Sequence, residues 1–273
     1  MPHVLSVVLG GGRDLPGFLN MLAFCRQFAL AAASTLALCA APSICAAMNV
    51  RPVILDLSNG GRSMSSVVSV ENPSDRGVPV ELTVHEAEPT PEGLVPTTTP
   101  SDDLLVFPPQ ALIEPGKTQA FRVQFVGDPD MTKSKHYFVT VAQLPVQLPG
   151  GSNAIQILYN FQVAVSVGVS GERSEITLTD SKIVKNEVGE FQPVLTFSNT
   201  GKTYGYVSEG GLRLTVKDAA GKEVFSKRYD SSDIEQDLGF GLVAADGTRQ
   251  IILPVDVKGE GVVEASFAPP RRR

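Results

Sequence analysis

The chain has 273 residues, no Trp, three Cys, 42% hydrophobic residues and a formal net charge of −6. An acidic balance repels phosphate backbones and speaks against a nucleic-acid partner; the one basic run, Arg271-Arg272-Arg273, reads as a solubilising tail. Cys25, Cys39 and Cys45 all precede residue 46, so the remainder can form neither disulfides nor thiolate metal sites.

From Met21 the order is a positive charge at Arg26, an uncharged apolar run over 28–41, then small residues ending at Cys45-Ala46-Ala47. That order predicts a secretory signal peptide cleaved after Ala47, with Met21 a better start than Met1. The run is too short for a bilayer span of roughly 20 residues, and no later segment replaces it, so no membrane insertion is expected. Leu38 and Ile44 stand before Cys39 and Cys45, where a lipoprotein site would need a small residue, so no lipid anchor is expected either.

Beyond residue 47 the pattern is β throughout. Short runs rich in Val, Ile, Thr and Phe recur between Gly, Pro, Asn and Asp. They predict strands over 50–57, 66–70, 80–86, 104–107, 120–126, 137–143 and 154–167, then 176–184, 193–198, 212–216, 224–229, 241–244, 250–257 and 262–267. Seven strands in roughly 120 residues is the count of an immunoglobulin-like sandwich. The predicted class is all-β, two tandem immunoglobulin-like sandwiches over 48–168 and 175–268, with 1–47 removed and 269–273 a basic tail. The polar stretch 168–174 (GVSGERS) marks the boundary. Asn59-Gly60-Gly61, Ala219-Ala220-Gly221 and above all Asp246-Gly247 are turn signals, the last reading as a hairpin. The stretch 87–103 (AEPTPEGLVPTTTPSDD) reads as a long exposed loop.

Residues 153–167 (NAIQILYNFQVAVSV) carry the most information. Ile155, Ile157, Tyr159, Phe161, Val163, Val165 and Val167 alternate without a break, which places them on one face of a strand. Fifteen residues far exceed the usual strand of about five or six. Either neighbours cover the whole strand, curved by a bulge, or its first half projects large apolar side chains past the domain's own core. An exposed apolar edge is an aggregation hazard unless a partner pairs with it, so the second alternative is a strand donor.

The same region resembles the periplasmic pilus (fimbrial) chaperones of the chaperone–usher pathway, and its looser motifs are closest to the archaic, spore-coat-U-like branch. The resemblance runs through 49–72 (NVRPVILDLSNGGRSMSSVVSVEN), 107–124 (FPPQALIEPGKTQAFRVQ), 137–145 (YFVTVAQLP) and the strand from Asn153. Chaperone–pilin pairs are themselves a standing example of strand addition. The resemblance implies two sandwiches in an L or boomerang, a periplasmic location, and binding of pilus subunits before delivery to an outer-membrane usher. It implies donor side chains at Ile155, Ile157, Tyr159 and Phe161, with Val163 completing the row. A free molecule that caps its own edge by self-association is a further partner to consider. Well-known members also hold the subunit's terminal carboxylate with an Arg on the first strand and a Lys in the donor strand. Here those places fall on Pro52 or Ile54 and near Ala164, none of them basic; Arg51, Lys133 and Lys135 are the other cations in view.

No catalytic constellation is visible. His85 and His136 are the two histidines after residue 47, and His136, at a strand start, reads as a surface or capping residue rather than a ligand. No Gly-x-Ser-x-Gly elbow and no phosphate-cradling loop before a helix occur, so no cofactor, metal or enzymatic activity is expected. Asp102-Asp103 and Glu86/Glu88 read as solvated loop or strand edges. Besides the chaperone, two readings stand: an exported structural or adhesive surface protein, and a hydrolase or other enzyme on a β-sandwich.

Overall fold

A computed structural model describes residues 48–146, 157–255 and 257–270. The expected signal segment with its cleavage site, the Arg271-Arg272-Arg273 tail and Ile155 lie outside the described residues.

Two sheets enclose the first core. One is ordered β1 (Asn49–Arg51), β3 (Ser65–Glu71), β8 (Thr118–Phe125), β6 (Leu104–Phe107), with every pair antiparallel. The other is ordered β2 (Ile54–Ser58), β10 (Asn160–Gly168), β9 (Lys135–Gln143), β4 (Val78–Thr90), β5 (Gly93–Pro100), and β7 (Gln110–Ile113) pairs with the start of β4. Inward alternation puts Leu55, Leu57, Val68, Val70, Phe121, Val123, Val139, Val141, Val163, Val165 and Val167 into one cluster.

The strand expected over 50–57 is split. Pro52 has no N–H to give a ladder, and the chain passes there from the β1 position in one sheet to the β2 position in the other. The expected loop over 87–103 is instead a hairpin, β4 running on to Thr90 and β5 returning from Gly93. Its Pro and Thr content marks a sheet edge: Pro96 and Pro100 on β5 withhold donors from any further strand.

The second core is built from β11 (Ile176–Lys185), β12 (Phe191–Asn199) and β17 (Thr248–Ile252) on one side and β15 (Glu223–Tyr229), β14 (Gly211–Asp218) and β18 (Gly261–Ala268) on the other. A short pair, β13 (Gly205–Tyr206) with β16 (Leu242–Val243), lies between them in the chain. Leu195, Phe197, Leu212, Leu214, Val216 and Ile251 fill it. Besides two short 3-10 turns, the helix α1 (Ser231–Leu238) departs from the all-strand expectation. Asp230 caps it and Asp233 returns the bond to the Asp230 backbone, a capping box that the sequence D-S-S-D announces; Ile234 then anchors it in the core. Asp246-Gly247 does form a turn, with Asp246 at φ 52° and Gly247 N–H donating to Ala244. It is no hairpin, because β16 and β17 on either side belong to different sheets.

Two buried asparagines brace the loops at equivalent places. Asn72, just after β3, donates from Nδ2 to the carbonyls of Arg76, Ile113 and Glu114, and its Oδ1 accepts from Ser74. The same residue's backbone bonds the Glu114-Pro115-Gly116-Lys117 turn, in which Gly116 takes φ 65° and Lys117 N–H donates to Glu114. Asn199, ending β12, donates to Thr203, Val243 and Ala244 and accepts from Gly201 and Glu175. Among the described residues no helix is long and apolar enough to cross a membrane, and no group of three or more His, Cys, Asp or Glu side chains could hold a metal ion.

Candidate strand-donation site

β10 is shorter than the sequence predicts, nine residues beginning at Asn160, and it is an edge over only part of its length. From Ala164 to Val167 it lies between β9, antiparallel, and β2, parallel, and Gly168 extends the pairing with β2. From Asn160 to Val163 it pairs with β9 alone, and Gln143 N–H carries that pairing outward to the Tyr159 carbonyl. On its other side this segment meets no strand among the described residues; the pairing with β2 begins only after Val53, whose carbonyl accepts from Ala164 N–H.

The core-facing row changes character along that segment. Val163, Val165 and Val167 are fully buried. Phe161 is half-buried against the same core, Tyr159 is half-buried beside it with ring centroids 6.4 Å apart, and Ile157 is 67% exposed. The row therefore leaves the sandwich gradually: Val163 sits inside the protein's own core and Ile157 sits outside it.

The opposite face of the same strands meets the second sandwich. Asp56 on β2 accepts from the hydroxyls of Tyr204 (2.7 Å) and Tyr206 (2.6 Å). Burial, with the neighbouring Asp56 carboxylate, pushes both phenols above their ordinary value, so both stay protonated donors. His136 is not a surface residue: it is 5% exposed, with Nδ1 2.9 Å from Ser166 Oγ and its ring against the edge of Tyr204. Burial pulls its pKa down to about 4, so the ring is neutral at pH 7. Asp103 is likewise more than a solvated loop acid. The Tyr137 hydroxyl (2.6 Å) and Lys135 Nζ (2.9 Å) bind its carboxylate and hold it below the usual carboxylate range.

Ile54 and Ala164, at the places where the resemblance would put the basic pair, are register partners on adjacent strands, each half-buried. Of the other cations, Lys135 is paired with Asp103, Lys133 with Asp246 at 2.7 Å, and Arg51 is exposed on β1. Asp56, Tyr204, Tyr206 and Ser166 escaped the sequence reading because nothing local marks them. Tyr204 and Asp56 are 148 residues apart, and only the fold brings them together.

Residues 48–167 match the family described as pili and flagellar-assembly chaperones, PapD N-terminal domain. A search of curated proteins found no match. Among solved structures, the chain is similar to the complex of the CsuC chaperone with the CsuE tip adhesion subunit from the archaic Csu pili of Acinetobacter baumannii. Identity is 12%, coverage 83% of this chain and 100% of that one, and the TM-score 0.47. It is also similar to the Salmonella enterica SafA pilin–SafB chaperone complex (14% identity, 82% and 96% coverage, TM-score 0.46). A third is the Pseudomonas aeruginosa CupB2 chaperone (12% identity, 81% and 99% coverage, TM-score 0.41). The match to the PapD-type N-terminal domain of the pili and flagellar-assembly chaperones thus covers the first sandwich of this chain, residues 48–167.

Proposed function

We propose that this protein is an exported, periplasmic chaperone that binds pilus subunits by lending them the outer segment of β10 and passes them to an outer-membrane usher. The observation that carries the reading is the edge over Asn160–Val163, which no strand among the described residues covers, continued outward by the exposed Ile157. The other sheet edge, β5, is blunted by Pro96 and Pro100, whereas this one is left unblunted and apolar. A partner strand in the slot ahead of β2 would take main-chain bonds from β10 and receive Ile155, Ile157, Tyr159 and Phe161 in its pockets. Val163, buried in the free protein, is the inner end of that row and keeps the donor strand in its own sheet. Full burial of each large side chain contributes roughly 1.5–3 kcal/mol before ordering costs, enough for a stable complex from three or four of them. The mechanism is exchange of non-covalent strand partners and calls for no catalytic group. Placement in the archaic branch rests on the loose motifs of 49–72 and on the apolar Ile54–Ala164 pair.

The test is co-purification from periplasm of the tagged protein with candidate pilus subunits, beside a variant carrying Ile157→Asp and Tyr159→Asp. A one-to-one complex with the parent and none with the folded variant supports donation. Equal recovery from both would move the interface off this strand and end the proposal.

A further inference from the structure

β4 is 13 residues long and outruns its sheet. Its pairing with β9 stops at Glu86, while its pairing with β5 continues to Thr90 and Gly93. Past Glu86 the hairpin therefore stands out as a two-stranded ribbon, and its tip touches the second sandwich. β17 is an edge strand there, and its Gln250 N–H donates outward to the Pro91 carbonyl at 2.6 Å. Beside that bond, Gly93 at φ +146° lets the chain lie against Arg249; a Cβ at Gly93 would stand 2.5 Å from Nη1. Thr90 Oγ1 closes the tip by donating to the Gly93 carbonyl. The first sandwich thus covers an edge of the second, which an unguarded strand needs.

The two contacts between the sandwiches are built differently. On the connecting side, Asp56 binds two tyrosine hydroxyls, Asn59 Oδ1 accepts from Ser170 N–H at 2.7 Å, Thr203 Oγ1 accepts from Val169 N–H, Ser134 N–H donates to the Lys202 carbonyl, Lys133 pairs with Asp246, and aromatic rings pack edge to face. Among the described residues one main-chain bond spans the contact at the hairpin tip, and Pro91 and Glu92 are exposed. Arg249 Nε is buried with no hydrogen-bond partner among the described residues. A cavity of about 310 Å³ remains between Pro89 and Gly93 on one side and Leu242, Ala245 and Thr248 on the other. An isolated two-stranded ribbon is marginal by itself, and sparse packing of this kind marks the low end of local stability.

We propose that the β4–β5 tip is a releasable strap: it closes on β17 to hold the sandwiches together and opens locally, while the Asp56–Tyr204–Tyr206 contact stays made. Opening uncovers the Gln250 N–H and frees the buried Arg249 Nε, without disturbing either core.

Residue-resolved amide exchange on the exported protein tests this. In the parent, Gln250 N–H exchanges at least tenfold faster than Ser170 N–H. Gly93→Val, which places a side chain where Arg249 lies, speeds Gln250 by a further tenfold and leaves Ser170 unchanged. A cysteine pair, Pro91→Cys with Gln250→Cys, closes the strap when oxidised and slows exchange of the tip amides at least tenfold relative to the reduced form. Should Gly93→Val reduce folded yield, the cysteine pair carries the same comparison in a single protein. Exchange of Gln250 and Ser170 together at the rate of global unfolding would overturn the strap. So would a Gln250 rate indifferent to Gly93→Val, or tip exchange that is the same in the oxidised and reduced pair.

Discussion

Acidification should destabilise this protein through a single buried ring. His136 is 5% exposed and burial lowers its pKa to about 4, against about 6.5 in an unfolded chain. As pH falls, the unfolded chain takes up the proton first, so the neutral ring's contribution is complete above pH 6.5 and is lost between pH 6.5 and 4. At 1.36 kcal/mol per pH unit, the loss on going from pH 7 to pH 4 is about 3 kcal/mol. Glu209 works in the opposite sense: burial, then Asp56, raises its pKa, so acidification relieves it. Asp103, held low by Tyr137 and then Lys135, contributes stability that is lost only as pH falls below the ordinary carboxylate value. The measurement is therefore a difference. Urea midpoints by far-UV circular dichroism at pH 7 and pH 4.5 are compared for the parent and His136→Asn, which keeps a polar group near Ser166 and removes the titration. The parent should lose about 2 kcal/mol more than the variant over that interval. Equal losses, within about 0.5 kcal/mol, would mean that the ring is protonated in the folded protein and that its burial is relieved in solution.

The row along β10 should divide sharply in its effect on stability. Ile157→Asp, at a site 67% exposed, should shift the free protein by no more than about 0.5 kcal/mol, whereas Val163→Asp, at 0% exposure, buries a charge and should unfold it, read by thermal melts of both. Asp56→Ala leaves the Tyr204 and Tyr206 hydroxyls without their acceptor, an expected loss of about 2–4 kcal/mol in chemical denaturation, with Asp56→Asn losing less. Asn72→Ala and Asn199→Ala each strand several buried carbonyls and should each cost about 2–4 kcal/mol by urea unfolding. Losses under about 0.5 kcal/mol for both would show that water replaces the amides.

The class of the protein was legible in its pattern because period-two alternation is a local property: the inward Val163, Val165 and Val167 and the inward Phe121 and Val123 can be named before any partner strand is known. The Glu114-Pro115-Gly116-Lys117 turn was legible for the same reason, since Pro and Gly restrict their own dihedrals. Helix α1 was missed although its capping box is written in Asp230 and Asp233, because eight residues hold too few turns for a helical period to stand out.

Alternation says which side chains share a face, and nothing about what lies beside the strand. The fifteen residues from Asn153 gave no hint that β2 fills one flank of β10 only from Ala164 onward, with no described strand beside Asn160–Val163. Composition likewise made 87–103 a loop, where pairing with the rest of β4 makes it a hairpin that reaches Gln250. His136, Asp56, Tyr204 and Tyr206 are ordinary residues in the sequence. They become a connected set because strand pairing brings segments nearly 150 residues apart within hydrogen-bond range, and the burial of His136 and Tyr206 then makes those contacts matter. Face and turn were determined locally by backbone sterics and side-chain polarity; neighbour, edge and burial were decided by the tertiary structure, since each depends on which distant strand occupies the adjoining place.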